Sequence, residues 1–363
     1  MNKKSITIRQ HKVNLPVFLP DATFGMVRGV DSQDLRSVGI QALVMNTFHL
    51  MQKPGSSTVH ALGGLHQMCD WHGPIVTDSG GFQAYSLIRQ NSKYGSLSEK
   101  GILFKPEASS RRLNLSPEKS IQLQFRFGSD IAICLDDCTH VDAPYKEQVI
   151  SVERTIDWAK RCKSEYNKQI SLRKYSNDQK PLIFAVIQGG GYKELRKRCA
   201  DSLLDIGFDG FGFGGWPLDS DGNLLEDILS YTQEIVPNNF LLHALGIGHP
   251  HNLTISHQLG YDLFDCAMPT RDARHGRLYI YTDPTAITSK NSDWFKYLYI
   301  NDEKHVKSRL PVSEYCDCPC CRSYSLGYLH HLFKLNDSLY IRLATLHNLR
   351  FMTQLTDYLH NKE

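Results

Sequence analysis

The sequence predicts an α/β chain folded as a (β/α)8 barrel, and three observations predict it. Short apolar runs recur every few tens of residues, eight in all, each ending in polar or glycine residues. Several are nearly continuous in apolar content, as strands buried on both faces should be. Helical stretches lie between many of them, which is the alternation of a parallel sheet with crossover helices. A doubly wound open sheet shares this alternation and is the alternative architecture.

The eight runs are 16–24, 42–49, 75–81, 131–137, 182–190, 208–215, 241–249 and 262–270. Before the fourth, Ser116-Pro117-Glu118 reads as a helix start, with a capping hydroxyl, proline in the first turn and an acid near the positive end of the dipole. It leads into the apolar stretch 121–127. Segments 145–168 and 192–206 read as helices, the second ending at Gly207 as a C-cap. Two segments do not fit a plain barrel. Residues 84–115 separate the third strand from its helix, and the turns at Tyr94-Gly95-Ser96 and Glu99-Lys100-Gly101 suggest a small hairpin over the barrel mouth. Residues 271–342 follow the eighth strand and hold a cysteine cluster. We expect one catalytic domain over 1–363: a barrel across about 12–270, closed by a C-terminal helix at 343–360, with a zinc subdomain across about 271–342.

Composition narrows the class. With 363 residues, 41% hydrophobic and 22% charged, the chain is ordinary for a soluble globular protein. No apolar run reaches the ~18 residues that a membrane helix needs. Residues 1–10 are polar and basic without the apolar core of a signal peptide, so a cytoplasmic location is expected. A net charge of +3 is too weak to indicate nucleic acid by itself, and any such surface must be a local patch.

Six of the ten cysteines are scattered; four crowd into Cys316-Asp317-Cys318-Pro319-Cys320-Cys321. In a large cytosolic chain such a cluster is more often a metal site than a disulfide framework. Cys316, Cys318 and Cys321 have the C-x-C-x-x-C spacing that lets thiolates wrap one tetrahedral zinc ion. His330, His331 and His347 are the nearby candidates for a fourth ligand, and Cys320 is a rival thiolate. His347 is preferred, because a ligand from the next helix would pin the subdomain to the barrel. Four protein ligands leave no open position, so the site should be structural.

In a (β/α)8 barrel, function sits at the C-terminal strand ends. Those ends carry Asp78, Gln83, Asp136, Asp137, Gln188, Gly214, Gly215 and Asp265. Carboxylates at three separate strand ends are not needed by a core, since each costs desolvation unless paired. Thr77-Asp78-Ser79-Gly80-Gly81-Phe82-Gln83 is also good turn chemistry, and its Gly-Gly lets backbone approach a flat ligand closely. Asp265 ends a buried strand and precedes the basic residues Arg271, Arg274, His275 and Arg277. A carboxylate beside such a patch is a natural place to attack a sugar carbon of a nucleic acid.

Here the sequence resembles the bacterial-type tRNA-guanine transglycosylases over nearly its whole length. The resemblance is carried by 77–83, Gly128-Ser129-Asp130 through Asp136-Asp137-Cys138, Gln188-Gly189-Gly190, Gly214-Gly215, Gly246-Ile247-Gly248, 264–271 with Ala273-Arg274-His275-Gly276, and the cysteine set with His347. The family's zinc spacing matches Cys316, Cys318, Cys321 and His347. The resemblance implies a base-exchange enzyme acting on tRNA with a guanine at the anticodon wobble position. Asp265 would be the nucleophile toward C1′, forming a covalent ribosyl–enzyme, and Asp78 the general acid/base, a chemistry parallel to that of retaining glycosidases. Asp136 would accept from the guanine-like edge, Gln188 and the Gly215 N–H would donate to its carbonyl, Phe82 and Leu245 would sandwich the ring, and Cys138 would line the pocket. Arg271 and Arg274 would hold phosphates. The incoming partner would be a free 7-deazaguanine base, and the family often forms homodimers. A non-catalytic tRNA-binding partner subunit, or the same chemistry on DNA or another RNA position, is the alternative.

One segment departs from the family. Where the bacterial pattern continues Gly-Gly with Leu-Ala-Val-Gly-Glu, this chain reads Gly214-Gly215-Trp216-Pro217-Leu218-Asp219-Ser220. The family peptide that flips between offering a carbonyl and offering an N–H corresponds to Trp216–Pro217, which has no N–H. The expected consequence is an altered base preference, with Trp216 narrowing the pocket or stacking on a larger substituent such as that of queuine. The plainer alternative is a loop that simply packs differently.

Overall fold

The computed structural model describes residues 4–105, 112–287 and 293–362. Eight short parallel strands occupy the positions of the eight apolar runs: β1 (Val17–Pro20), β2 (Leu43–Asn46), β3 (Ile75–Asp78), β4 (Ile131–Ile133), β5 (Leu182–Ile187), β6 (Gly210–Phe213), β7 (Leu241–Ala244) and β8 (Leu263–Cys266). They hydrogen-bond in the order β1-β8-β7-β6-β5-β4-β3-β2. The ring closes just past β1, where Asp21 bridges Val44 and the Ala22 N–H donates to the Val44 carbonyl at 2.8 Å. That closure excludes the doubly wound open sheet.

Each strand is buried on both faces, which explains its continuous apolar character. Val17, Leu19, Val44, Val76, Ile131, Ile133, Phe184, Val186, Leu241 and Leu263 form one cluster inside the barrel. Alternate residues such as Phe18, Met45 and Ala185 join a second cluster that includes the helices outside. The inner cluster includes Ile8, Val13 and Leu15 from an N-terminal hairpin, Ser5–Ile8 paired with His11–Asn14. The hairpin was not visible as a structural element in a stretch read only as polar and basic.

The helices follow local signals. Helix α1 (Gly81–Gln90) leaves β3 directly. Helix α2 (Pro117–Phe127) is capped by Ser116, whose hydroxyl accepts from the Lys119 N–H, and ends at Gly128 with φ 83°. Helix α3 (Tyr145–Arg173) runs past the expected end at 168, and α4 (Lys193–Ile206) ends on Gly207. Between α1 and α2 the expected hairpin is present as two strands of a three-stranded antiparallel sheet, Gly95–Ser98, Gly101–Phe104 and Leu113–Leu115. Within the insertion at 84–115, residues 106–111 lie outside the described residues, as do 288–292 within the segment at 271–342.

After β8 come helix α5 (Met268–Arg274), an antiparallel pair Arg277–Tyr281 with Phe295–Tyr299, and two short helices, Pro319–Ser323 and Leu326–Lys334. The last helix, α6 (Ser338–Lys362), begins before position 343. It buries Leu343, Leu346, Leu349, Phe351, Met352 and Leu355. Arg342 clasps Asp34 with two bonds of 2.8 and 2.6 Å, and the Thr353 hydroxyl donates to the Val38 carbonyl at 2.6 Å. Among the described residues no helix is long and apolar enough to cross a membrane.

Candidate active site and metal cluster

The parallel register sets the strand ends level with one another. Asp265 lies beside Leu19, Asn46 beside Asp78, and Asp21 beside Val44. Asp78 and Asp265 therefore meet at one end of one barrel, though they stand far apart in sequence.

Asp78 is gripped from the backbone side. The Thr47 and Gly80 N–H groups donate to its Oδ1 at 3.0 and 3.1 Å, and the Asn46 amide donates to Oδ2 at 2.5 Å. Burial pushes its carboxyl up to about 7, and the charges of Asp265 and Asp21 add to the rise against the lowering effect of the Thr47 N–H. Asp265 is tied differently. Its Oδ1 accepts from His243 Nε2 at 2.8 Å and from the Gly246 N–H at 3.2 Å. Two carboxylates, coupled by charge, thus sit in unlike surroundings: one able to hold a proton near neutrality, one anchored by donors through a single oxygen.

The other half of the mouth builds a polar slot. Gln188, at the end of β5, donates its amide to Asp136 Oδ2 at 2.7 Å, while its own Oε1 is buried without a partner. Burial raises Asp136 to about 6, countered by the Gln188 bond. Gly214 is required here, because a Cβ would come within 2.7 Å of the Gln188 amide. Gly215 follows at φ 87°, and its N–H faces Cys138, whose buried thiol is pushed well above the ordinary range by burial and by the Asp136 and Asp137 charges. Leu245 reaches over β6, where a Cβ on Gly212 would lie 2.9 Å from it. Asp137 turns away: its carboxylate pairs with Arg154, and its backbone is held by Thr155 and Ser151.

Phe82, at the start of α1, is 40% exposed and packs against Trp216 with ring centroids 5.1 Å apart. His140 also packs against Trp216, with ring centroids 5.7 Å apart. The loop after Trp216–Pro217 folds back on itself: Leu218 bridges Leu224, and the Leu225 N–H donates to the Pro217 carbonyl at 3.0 Å. Asp219 accepts from the Asp221 and Asn223 N–H groups at 2.9 and 2.8 Å, so its carboxylate is spent on its own turn. Along α5, Arg271 is exposed and Arg274 half-buried. Burial lowers Arg274, and Arg28 and Arg271 lower it further. These three guanidiniums form one basic patch at the rim.

The Cys3His cluster joins the segment after β8 to α6. The ligand atoms of Cys316, Cys318, Cys321 and His347 all fall within 4.8 Å of one another. His347 Nδ1 stands 3.2 Å from Cys321 Sγ and 3.8 Å from Cys318 Sγ. A tetrahedron with metal–sulfur bonds near ~2.3 Å has edges of about 3.8 Å, so these residues fit one metal ion. The second ring nitrogen supports the fit: His347 Nε2 bonds the Tyr279 carbonyl at 2.7 Å, which fixes the proton there and aims Nδ1 at the thiols. Cys320, His330 and His331 stand outside the quartet.

A sequence model of the queuine tRNA-ribosyltransferase family matches residues 4–362. The chain belongs to that family. Membership makes it a pentosyltransferase. Its similarity to individual queuine tRNA-ribosyltransferases is spread over the same length. One from Psychrobacter sp. (strain PRwf-1) is 35% identical over 351 residues, covering 97% of this chain and 86% of the relative. One from Actinobacillus pleuropneumoniae serotype 3 (strain JL03) is 36% identical over 346 residues, 95% and 84% of the two chains. One from Aliivibrio fischeri (strain MJ11) is 36% identical over 343 residues, 94% and 85%.

Within this family member, sequence reading missed three residues of the mouth: Asp21, Asn46 and His243. Asp21 couples by charge to both Asp78 and Asp265, and is itself raised by burial. Each had a faint signal. Asp21 and Asn46 are polar residues within or ending an apolar run, and His243 interrupts Leu241-Leu242-His243-Ala244 at an inward position.

Proposed function

We propose that this chain removes guanine from the wobble position of a tRNA anticodon and installs a free 7-deazaguanine through a covalent ribosyl–Asp265 intermediate. The observation that carries the reading is the convergence of Asp78 and Asp265 at one barrel mouth, held by different hydrogen-bond donors, beside the Asp136–Gln188 slot. An Asp265 oxygen bonds C1′ as the C1′–N9 bond breaks, and Asp78 gives its proton to the departing guanine. The incoming base then returns a proton to Asp78 and attacks C1′, and the electron pair of the breaking ester goes back to Asp265. Net retention follows from two displacements, as in retaining glycosidases. The intermediate must be shielded from water, and the Phe82–Trp216 pair at the rim suits that purpose.

Asp136 would accept from the N–H and amine of the base, since both partners there are donors. Gln188 and the Gly215 N–H would face its carbonyl; the Gln188 amide, now on Asp136, would turn or share. Phe82 and Leu245 would flank the ring, with Cys138 lining the slot. Arg271 and Arg274 would hold phosphates, with Arg28 beside them. Cys316, Cys318, Cys321 and His347 would hold a structural zinc ion, tying the segment after β8 to α6. A cytoplasmic homodimer is the expected working form.

Base preference is the point at which this member should differ. Pro217 removes the N–H that a flipping peptide would offer, and Trp216 walls the slot, so queuine is favoured over 7-aminomethyl-7-deazaguanine. Exchange assays with guanine, 7-aminomethyl-7-deazaguanine, 7-cyano-7-deazaguanine and queuine test this; turnover of 7-aminomethyl-7-deazaguanine equal to that of queuine would sink it. The reaction itself is tested by incubating the protein with tRNA and identifying the nucleoside formed. Exchange on DNA but not on tRNA would replace the substrate class.

A further inference from the structure

His243 belongs to the mouth but has no part in the steps above. It lies on β7, next to β8 in the barrel wall, and faces inward one layer beside Asp265. Its side chain is 1% exposed against 19% for Asp265, so it is sealed behind the carboxylate and out of reach of a bound sugar or base. Its Nε2 lies 2.8 Å from Asp265 Oδ1, which is its one side-chain hydrogen bond among the described residues. The Nδ1 atom is buried with no partner.

That arrangement is unfavourable for a residue serving only to fill space. An orphaned ring nitrogen inside a barrel is a desolvated acceptor with nothing in exchange. A phenylalanine would occupy the same volume without one. What the imidazole adds is a donor at Nε2, directed at one oxygen of Asp265. The Gly246 N–H reinforces that oxygen at 3.2 Å, and among the described residues Oδ2 accepts no hydrogen bond.

We propose that His243 is the positioning residue of Asp265: it pins Oδ1 and leaves Oδ2 as the atom that attacks the sugar. The proposal rests on the reading of Asp265 as nucleophile. Oδ2 forms the bond to C1′ while the glycosidic electron pair leaves with the base. Oδ1 becomes the ester carbonyl oxygen and keeps its N–H throughout. When the second base attacks, the C1′–Oδ2 pair returns to the carboxylate, and Oδ1 again meets the donor already in place. No proton passes to or from His243. Its contribution is to hold the carboxylate plane, so that the lone pair of Oδ2 points to the sugar before the reaction begins.

The test compares His243→Phe with His243→Gln, whose amide nitrogen can reach Asp265 as Nε2 does. We expect His243→Phe to lower kcat on the order of 10–100-fold, as loss of an orienting partner does, with KM for tRNA unchanged. His243→Gln should recover most of that loss. Wild-type kcat in His243→Phe overturns the proposal, and so does equal impairment of two folded variants. If His243→Phe does not fold, His243→Gln decides alone: folded protein with no RNA adduct refutes the donor role. A covalent adduct that persists in Asp265→Asn would refute the nucleophile reading itself, whatever the His243 variants do.

Discussion

The barrel mouth and the Cys3His cluster both gather polar groups from elements distant in sequence, yet they are finished differently. At the cluster, four ligand atoms fall within 4.8 Å, and the outward nitrogen of His347 is satisfied by Tyr279. A single cation would complete that chemistry. At the mouth, polar atoms are left wanting: Gln188 Oε1 and His243 Nδ1 are buried without partners, and Asp78 and Asp136 are raised by burial. A site built to hold a structure together closes its interactions. A site built to turn over leaves some of them for the substrate, and stores the imbalance as shifted protonation.

The largest test of that contrast is Asp265→Asn. It should abolish the RNA adduct on denaturing gels and lower exchange on the order of 10⁶-fold, as loss of a nucleophile does, with the fold and metal content retained. The reverse pattern is expected at the cluster. Cys318→Ala should reduce bound metal and thermal stability together, because metal binding is part of folding; unchanged metal stoichiometry would count against the ligand set.

Asp78 sharpens the comparison through pH. Its folded value, about 7, lies above the ordinary carboxylate value of 3.8. The folded state therefore holds this proton more tightly than the unfolded chain, and stability is lost as pH rises from about 4 to about 7. The urea midpoint of wild type should fall relative to that of Asp78→Asn across this window; parallel curves would refute the shift. Single-turnover guanine release should also decline above about pH 7 as the proton needed by the leaving base is lost. The smallest effect is expected at the rim: Arg274→Ala should reduce the salt dependence of tRNA binding by about one counterion without altering base choice.

Much of this was written in local pattern. The eight strands stand where the apolar runs are, because strands buried on both faces favour apolar residues along most of their length. Ser116, Gly128 and Gly207 mark helix ends where caps are chemically demanded. The C-x-C-x-x-C spacing marks the metal cluster without reference to any fold. Other features had no local trace. The polar start of the chain hides a hairpin whose Ile8, Val13 and Leu15 are buried only in the company of the barrel interior. Asp219, beside the Ser220 that stands where the family pattern has glutamate, is occupied by its own turn.

Sequence alone determined the strands, the caps, the thiolate set and the acids at strand ends, since each depends on neighbours a few residues away. Only the closed barrel decided which acids meet. Register set Asp78, Asp265 and Asp21 level at one mouth and turned Asp137 aside to Arg154. It also placed His243 behind one oxygen of Asp265. The reason is that protonation, orientation and metal fit depend on distances across space, and those exist only once the strands have closed on themselves.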